Sequence, residues 1–179
     1  CSRGGEITAK SGRDPSSAGA IGEWHHHHPD RMLEPMATLV LASTSPYRKQ
    51  LLERLRVPFV CAAPGVDETA VKAELREPLA VVRELARRKA QAVASKHAGA
   101  LVIGSDQVAT LDGAILDKPG TAAAAHAQLQ RLQGQEHQLL TAVAIVHPGG
   151  LCEFLDATFL RMRPLTTAEI ERYVAADQP

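Results

Sequence analysis

Five charged side chains, spread over separate parts of the sequence, are of the types that bind a phosphorylated ligand together with a divalent metal ion. Three are cations and two are acids: Arg48, Lys89 and Lys118, and Glu68 and Asp106. Basic side chains neutralise phosphate oxygens, while carboxylates hold Mg²⁺ or Mn²⁺ and can orient or deprotonate a water molecule. The combination predicts triphosphate chemistry. The sequence has no Walker A motif, which excludes a P-loop enzyme.

The segment 39–52 changes from a short apolar run to small hydroxyl residues and then to a helical pattern, which predicts a strand, a tight loop and a helix. Ser45 is the expected N-cap, and Pro46 is the expected first helical residue. Arg48 then falls on the apolar face of the helix, where a cation loses hydration and opposes the helix dipole. A phosphate shared by Arg48 and the helix N-terminus would explain this position. The alternative is that Arg48 extends outward to solvent.

Two adjacent carboxylates, Asp67 and Glu68, follow a second predicted strand at 59–62. Aspartate often caps a turn through its side chain, so a structural role is expected for Asp67. Glu68 has less structural reason to be there and is a candidate metal ligand. Neither residue identifies a site by itself. A functional role for either requires that other charged residues lie close to it.

A helix is predicted over 79–96, and its apolar stripe has a lysine at the centre. Val82, Leu85 and Val93 belong to this stripe, and Lys89 lies among them. A buried ammonium group needs a carboxylate or a phosphate as its partner. Lys89 is therefore either a phosphate-binding residue or one half of a structural ion pair.

Polar residues, among them Ser105 and Asp106, follow the buried-strand pattern of 101–104. In open α/β sheets ligands bind at the carboxyl ends of interior strands, which makes Asp106 a stronger candidate than an average surface acid. The next segment, 108–116, is predicted to be a hairpin closed by an Asp-Gly turn. This hairpin should return Lys118 to the same end of the sheet.

The remainder of the sequence predicts a long hairpin with one helix before it and one helix after it. The first helix should begin after a threonine cap and end at residue 132, and the hairpin should occupy 139–162. The last helix, 167–176, should begin with a capping box formed by Thr166 and Glu169. The alternation of strands and helices indicates an α/β protein.

Composition and charge limit the kinds of partner that the chain can have. Its 179 residues are 45% hydrophobic, which is enough for one domain with a core. Lys and Arg number 20, as do Asp and Glu, so no overall basic field favours nucleic acid or an anionic membrane. The three cysteines lack metal-ligand spacing, and no apolar run is long enough for a membrane span. We expect a soluble, cytoplasmic protein.

Two regions are expected along the chain. Residues 1–35 are rich in Gly, Ser, Pro, Arg and His without apolar periodicity, so we predict a disordered leader that is not part of the native protein. Residues 36–179 form the predicted domain, with Met36 as its expected natural start. All the candidate site residues fall in this second region.

Five motifs, in order, resemble those of the Maf family of nucleoside triphosphate pyrophosphatases. They are 41–48 (Leu-Ala-Ser-Thr-Ser-Pro-Tyr-Arg), 66–68 (Val-Asp-Glu), 88–90 (Arg-Lys-Ala), 104–108 (Gly-Ser-Asp-Gln-Val) and 118–119 (Lys-Pro). The resemblance implies an α/β fold with a mixed twisted sheet, flanking helices and a deep nucleotide cleft, similar to that of ITPase-like proteins. It also implies a homodimer, a divalent metal ion, and hydrolysis of a nucleoside triphosphate to its monophosphate and diphosphate as cytoplasmic house-cleaning.

Carried over by position, the resemblance implies roles for individual residues. Asp106 corresponds to the proposed general base and, together with Glu68, to the metal site. The phosphate-binding positions correspond to Ser43, Arg48, Lys89 and Lys118. Charge and spacing alone select all of these residues except Ser43.

Two positions are typical of one branch of the family. Pyrimidine-specific members usually have Arg in place of Tyr47 and Thr in place of Gln107, whereas an aromatic residue and Ser-Asp-Gln resemble the 7-methyl-GTP pyrophosphatases. The alternatives are a dTTP/UTP pyrophosphatase, or a weakly catalytic nucleotide-binding inhibitor of septum formation, against which the presence of Asp106 and Glu68 argues. Family members continue beyond the last helix, so we expect this chain to lack the C-terminal portion of the fold.

Overall fold

The computed structural model describes residues 37–177. The predicted leader and start residue, 1–36, lie outside the described residues. The helices and strands within the described range are β1 (Leu39–Leu41), α1 (Pro46–Glu53), β2 (Val60–Cys61), α2 (Glu68–Glu74), α3 (Pro78–Ala94), β3 (Leu101–Leu111), β4 (Ala114–Leu116), α4 (Ala122–Leu132), β5 (Glu136–His147), β6 (Gly150–Arg161) and α5 (Thr167–Asp177).

The six strands form one mixed sheet in the order β2-β1-β3-β5-β6, and β4 pairs separately with β3. β1 is parallel to both β2 and β3, whereas β3 is antiparallel to β4 and β5, and β5 is antiparallel to β6. Helices connect β1 to β2 and β2 to β3, tight turns connect β3 to β4 and β5 to β6, and α4 lies between β4 and β5. The predicted α/β fold with a mixed sheet and flanking helices is confirmed.

β3 is longer than predicted. The prediction that this strand ends at Gly104 was wrong, because β3 continues without interruption through Ser105, Asp106 and Gln107 to Leu111. β5 pairs with β3 from Val102 to Thr110, and this cross-strand pairing offsets the weak strand propensity of the small and polar residues. Asp106 therefore lies in the middle of a strand and not at its carboxyl end.

One edge of β3 is only partly covered. β1 pairs with Leu101–Ile103, and β4 pairs with Ala109–Leu111. Neither of these two strands pairs with the stretch Gly104–Val108 between them. Among residues 37–177, the middle of β3 thus has no paired strand along this edge, at the position where β1 ends and the chain turns into α1.

α3 covers one face of the sheet and forms the larger part of the core with it. The helix stripe and the strand residues that it contacts are buried: Val82, Ala86, Ala90, Val108, Leu140, Ala142 and Ala144. Lys89 is buried on the same helix, 4% exposed, as its position in the apolar stripe predicted. The predicted buried face of this helix is therefore confirmed.

Gly104 allows α3 to lie close to β3. A Cβ atom on this residue would lie 2.5 Å from the backbone nitrogen of Ala90, 2.9 Å from the Ala90 Cβ, and closer still to the Ala86 carbonyl oxygen. Backbone atoms cannot move away as a flexible side chain can, so any larger residue would push the helix off the strand. The contact sets the distance between Lys89 on α3 and Asp106 on β3.

The turn and the helix caps that the sequence predicts are present in the structure. Asp112 and Gly113 have φ angles of 50° and 78°, as the two-residue turn of the β3–β4 hairpin requires. Ser45 caps α1 by accepting a hydrogen bond from Arg48 N at 3.4 Å. Thr166 and Glu169 form the capping box of α5, with the carboxylate accepting from Thr166 N at 2.8 Å.

α5 packs on α4 through a small cluster whose buried members are Ala125, Ile170 and Val174. This contact joins the last described helix to the helix that follows β4. Among residues 37–177, no helix combines the length and apolar character that a membrane crossing requires.

Candidate functional site

A cleft of about 610 Å³ lies beside the uncovered part of β3, and the whole of Ser105–Ala109 contributes to its lining. Its volume is within the range of small-molecule sites. Four cations and three carboxylates line it: Arg48, Lys72, Lys89, Lys118, Glu68, Asp106 and Asp117. The five charged residues selected from the sequence are thus brought together, although they come from five different segments.

Lys89 lies at the centre of this charge cluster. Its Nζ is 2.7 Å from Asp106 Oδ1 and 2.6 Å from Glu68 Oε1. α3 supplies the lysine, β3 supplies the aspartate, and the first residue of α2 supplies the glutamate. One ammonium group therefore compensates two carboxylates, one of which is buried.

Arg48 turns toward the same aspartate. Its guanidinium nitrogen is 3.6 Å from Asp106 Oδ1, and its side chain is 26% exposed. Ser45 caps the helix one turn earlier, so Arg48 occupies the first turn of α1 and faces the cleft. The alternative prediction, that the Arg48 side chain extends outward to solvent, is therefore wrong.

The two central carboxylates have pKa values shifted in opposite directions. Burial raises the pKa of Asp106, against the lowering influence of Lys89 and Arg48. The hydrogen bond from Lys89 is the main cause that lowers the pKa of Glu68. A pair of acids separated in this way is typical of sites where one carboxylate accepts a proton and the other stays ionised.

The cleft has further charges on its other side. Lys118 follows β4, as predicted, and has no carboxylate within 4 Å among residues 37–177. Lys72 forms an ion pair with Asp117, which joins α2 to the segment that carries Lys118. Lys72 was not predicted as a site residue, although its position four residues after Glu68 places both on one helix face.

The other predicted site residues differ in their placement. Tyr47 and Gln107 line the cleft, and the tyrosine is 67% exposed. Ser43 is buried, and its Oγ accepts a hydrogen bond from Ser45 N at 3.1 Å. Ser45 lines the cleft and Ser43 does not. The phosphate-binding role of Ser43 stays a prediction.

The carboxylates offer a limited set of metal ligands. Over the described range 37–177, no group of three or more His, Cys, Asp or Glu residues is arranged to hold an ion. Glu68 and Asp106 nevertheless converge on one cation, the Lys89 ammonium, with oxygen contacts of 2.6 and 2.7 Å. Mg²⁺ is commonly bound by one or two carboxylates together with substrate phosphates and water, so the two acids fit such an ion.

The chain matches one protein family and is similar to several curated proteins. The family described as "Maf-like protein" matches residues 38–179. A 7-methyl-GTP pyrophosphatase of Xanthomonas campestris pv. campestris is 50% identical over 143 residues, which are 79% of this chain and 73% of the relative. A 7-methyl-GTP pyrophosphatase of Pseudomonas syringae pv. tomato is 46% identical over 80% of this chain and 75% of its own length.

A relative whose name gives different substrates has nearly the same sequence identity to this chain. The dTTP/UTP pyrophosphatase of Halalkalibacterium halodurans is 42% identical over 80% of this chain and 75% of its own length. Among solved structures, the Ham1 protein of Staphylococcus aureus aligns with 68% of this chain and 70% of its own, with a TM-score of 0.47 and 15% identity. The matches to sequence relatives all cover the charged cleft.

Proposed function

Since the chain belongs to the Maf family, we propose that it hydrolyses a nucleoside triphosphate to the monophosphate and diphosphate, with 7-methyl-GTP as its preferred substrate. The family supports a hydrolase that acts on the phosphoanhydride bonds of nucleotides.

The convergence of Lys89 with Glu68 and Asp106 is the observation that carries the proposal. In the free protein these charges neutralise one another, with Arg48 3.6 Å from the same aspartate. Lys118, without a carboxylate partner in the described part of the chain, adds a positive charge at the cleft. A triphosphate could take over these cations, since phosphate oxygens accept hydrogen bonds from ammonium and guanidinium groups.

A divalent metal ion, Mg²⁺ or Mn²⁺, fits the two carboxylates. Glu68 and Asp106 would hold it, and triphosphate oxygens and water would complete its coordination. When bound, such an ion supplies Lewis-acid polarisation of a phosphoryl oxygen. Lys89 would then exchange its carboxylate partners for phosphate oxygens, so that metal and nucleotide bind together.

Asp106 is the proposed general base. Both of its contacts, with Lys89 and with Arg48, are made by Oδ1, and Oδ2 has no hydrogen-bond partner among residues 37–177. Oδ2 could accept the proton of a water molecule as the water oxygen bonds to phosphorus and the bond to the diphosphate leaving group breaks. The cations of the cleft would stabilise the negative charge on that leaving group.

Tyr47 and Gln107 are the proposed specificity residues. 7-Methylguanine is positively charged while it keeps its N1 proton, and an aromatic face attracts a cation with about 0.5–2 kcal/mol. The exposed ring of Tyr47 lines the cleft and is able to stack on a base. The alternative, a dTTP/UTP pyrophosphatase, has support from the Halalkalibacterium relative.

A diphosphate-release assay tests the proposal directly. Purified protein would be given 7-methyl-GTP, GTP, dTTP and UTP with Mg²⁺ or Mn²⁺, and each reaction would be repeated with a chelator. We expect the highest kcat/KM for 7-methyl-GTP and loss of activity in the chelator. Faster turnover of dTTP and UTP would favour the alternative substrate, and binding without any turnover would favour the nucleotide-binding inhibitor of septum formation.

Asp106→Asn tests the catalytic residue. The substitution keeps the side-chain volume and removes the base, so we expect kcat to fall by about 10²- to 10⁴-fold. Asp112→Asn is the matched control, since asparagine suits the same turn position, and it should keep full activity. Equal activity of the two variants would remove Asp106 from the mechanism.

The homodimer, the cytoplasmic location and the house-cleaning role remain predictions of the family resemblance. Light scattering in solution would test the first of these. The nucleotide panel bears on the third, since preference for a modified nucleotide over GTP is the property that a house-cleaning enzyme needs.

A further inference from the structure

Lys72 and Asp117 form an ion pair within the lining of the cleft. Lys72 lies on α2, about one turn after Glu68, and Asp117 directly precedes Lys118. The side chain of Asp117 is 68% exposed and that of Lys72 is 34% exposed. An ion pair with this exposure contributes little to stability, so a charged ligand could compete for either partner.

The charge of Lys72 continues the cluster that is centred on Lys89. Lys89 Nζ is 2.7 Å from Asp106 Oδ1 and 2.6 Å from Glu68 Oε1. The hydrogen bond from Lys89 is the main cause that lowers the pKa of Glu68, and the positive charge of Lys72 adds to it. From Asp106, the charges therefore alternate in sign through Lys89 and Glu68 to Lys72.

The segment that carries Asp117 has other contacts that hold it in place. The side-chain amide of Gln128 on α4 donates a hydrogen bond to the Asp117 carbonyl oxygen at 2.9 Å. The preceding residue, Leu116, pairs with Ala109 in the β3–β4 hairpin. The Lys72 ammonium, by contrast, lies at the end of a flexible four-carbon stem. It is the partner in this ion pair that can move to another anion.

We propose that Lys72 binds the diphosphate end of the triphosphate and that Asp117 competes with the phosphates for this lysine. The proposal rests on the function proposed above and adds a phosphate-binding residue to the same site. A diphosphate group carries more negative charge and more acceptor oxygens than one carboxylate, so it takes the ammonium from Asp117 when nucleotide binds. With the reacting phosphorus at Asp106, the leaving diphosphate is the part that extends toward Lys72.

Competition and a purely structural role give opposite expectations for Asp117. If the ion pair only joined α2 to the segment before α4, loss of either charge would loosen the cleft. Lys72→Met and Asp117→Asn would then weaken phosphate binding alike. If Asp117 competes for the lysine, Lys72→Met weakens binding and Asp117→Asn strengthens it, because the ammonium no longer has to leave a partner.

The test measures the binding of inorganic tripolyphosphate by calorimetry in the presence of Mg²⁺. We expect Kd to rise about 5- to 20-fold in Lys72→Met, since a hydrogen bond between charged groups is lost. In Asp117→Asn, Kd should fall about 2- to 5-fold, the range that an exposed ion pair allows. Glu74→Gln is the matched control and should leave Kd unchanged. It removes the ion pair between Glu74 on α2 and Arg88, neither of which lines the cleft.

A double variant separates competition for Lys72 from a general effect of the Asp117 charge. In the Lys72→Met background, Asp117→Asn should no longer lower Kd. An equal fall with and without Lys72 would overturn the proposal. So would weaker binding in Asp117→Asn, wild-type affinity in Lys72→Met, or a wild-type protein that does not bind tripolyphosphate.

Diphosphate release distinguishes failure of this inference from failure of the proposed function. In assays with 7-methyl-GTP, KM should change in the same directions as Kd. If the wild-type protein releases no diphosphate from any nucleotide, the proposed function fails, and the tripolyphosphate measurements still decide the role of Lys72. If it hydrolyses nucleotide while all variants bind tripolyphosphate equally, this inference alone fails.

Discussion

The ammonium group of Lys89 holds together two carboxylates that would otherwise repel each other across the cleft. Considered alone, a buried lysine in an apolar stripe is a residue that methionine should replace at little cost. Its contacts with Asp106 and Glu68 reverse that expectation, since removal of one partner of a buried pair leaves the other charge uncompensated.

We expect Lys89→Met to lower the free energy of unfolding at pH 7 by about 2–4 kcal/mol, below the largest values for buried pairs because Glu68 is half exposed. Urea denaturation would measure the change. The double variant with Asp106→Asn should recover part of the loss, because a neutral amide needs no counter-ion.

A matched control for this prediction is Lys49→Met. Lys49 pairs with Glu53 at 3.8 Å on the exposed face of α1, and such pairs contribute about 0–1 kcal/mol. If Lys89→Met were no more destabilising than this control, the shared ion pair would have no role in stability.

Single residues were predictable where a charge conflicted with its surroundings. Lys89 was found because it interrupts an apolar stripe, and its burial is confirmed. Its carboxylate partners could not be identified from the sequence, since they depend on how three elements pack.

At the scale of elements, the contact between α3 and β3 depends on one glycine. Gly104→Ala places a methyl group against the backbone at Ala86 and Ala90. We expect a loss of about 1–3 kcal/mol in the free energy of unfolding, because the helix must move away from the strand. The same movement would separate Lys89 from Asp106, so nucleotide hydrolysis should fall as well.

Ser105→Ala is the control for this effect on stability. It changes the neighbouring residue of the same strand, on the opposite face, and adds no atoms. Chemical denaturation of both variants would measure the difference. Equal stability of Gly104→Ala and the wild-type protein would mean that the helix tolerates a side chain at this position.

The capping box of α5 should make stability depend on pH. The Thr166 backbone N–H and the Arg163 guanidinium lower the pKa of Glu169 to about 2. Because the folded pKa lies below the unfolded one, this stabilisation is complete above about pH 5 and is lost as the pH falls toward 2.

Glu169→Gln should therefore destabilise the protein more at pH 7 than at pH 3. Thermal unfolding across this range would measure the difference between variant and wild type. Glu171→Gln, two residues later on the same helix and outside the cap, is the control. A difference that stays constant with pH would exclude a charged cap.

Elements were predictable where a local signal defines their ends. The Asp-Gly turn and the helix caps depend on neighbouring residues alone, and they formed as predicted. The length of β3 depends on β5, which lies about 35 residues later in the sequence and pairs across Ser105 and Asp106. Nothing local to those two residues favours a strand, so their location was mispredicted.

At the largest scale, the sheet within the described part of the chain has an unpaired edge that is rich in exposed apolar side chains. Among residues 37–177, β6 pairs only with β5, and five of its large apolar residues are exposed: Leu151, Phe154, Leu155, Phe159 and Leu160. A long apolar edge strand favours association with other chains.

We expect the 179-residue chain to bind hydrophobic dyes and to associate as its concentration rises. Phe159→Thr should reduce both effects, since threonine keeps strand propensity and removes an aromatic ring that is 61% exposed. Val60→Thr, on the two-residue strand at the opposite edge, is the control. Light scattering would measure the association, and identical behaviour of the two variants would exclude β6 as its cause.

The gap along β3 has a consequence for how this protein family could diversify. Asp106 faces α3 and its lysine, whereas Gln107 faces the side of the sheet on which Thr141 lies. Both residues line the same cleft: the proposed base, Asp106, and the proposed specificity residue, Gln107, are adjacent residues on opposite faces of one strand. If these roles hold, a substitution at position 107 can change which nucleotide is bound while the residue proposed for hydrolysis stays the same.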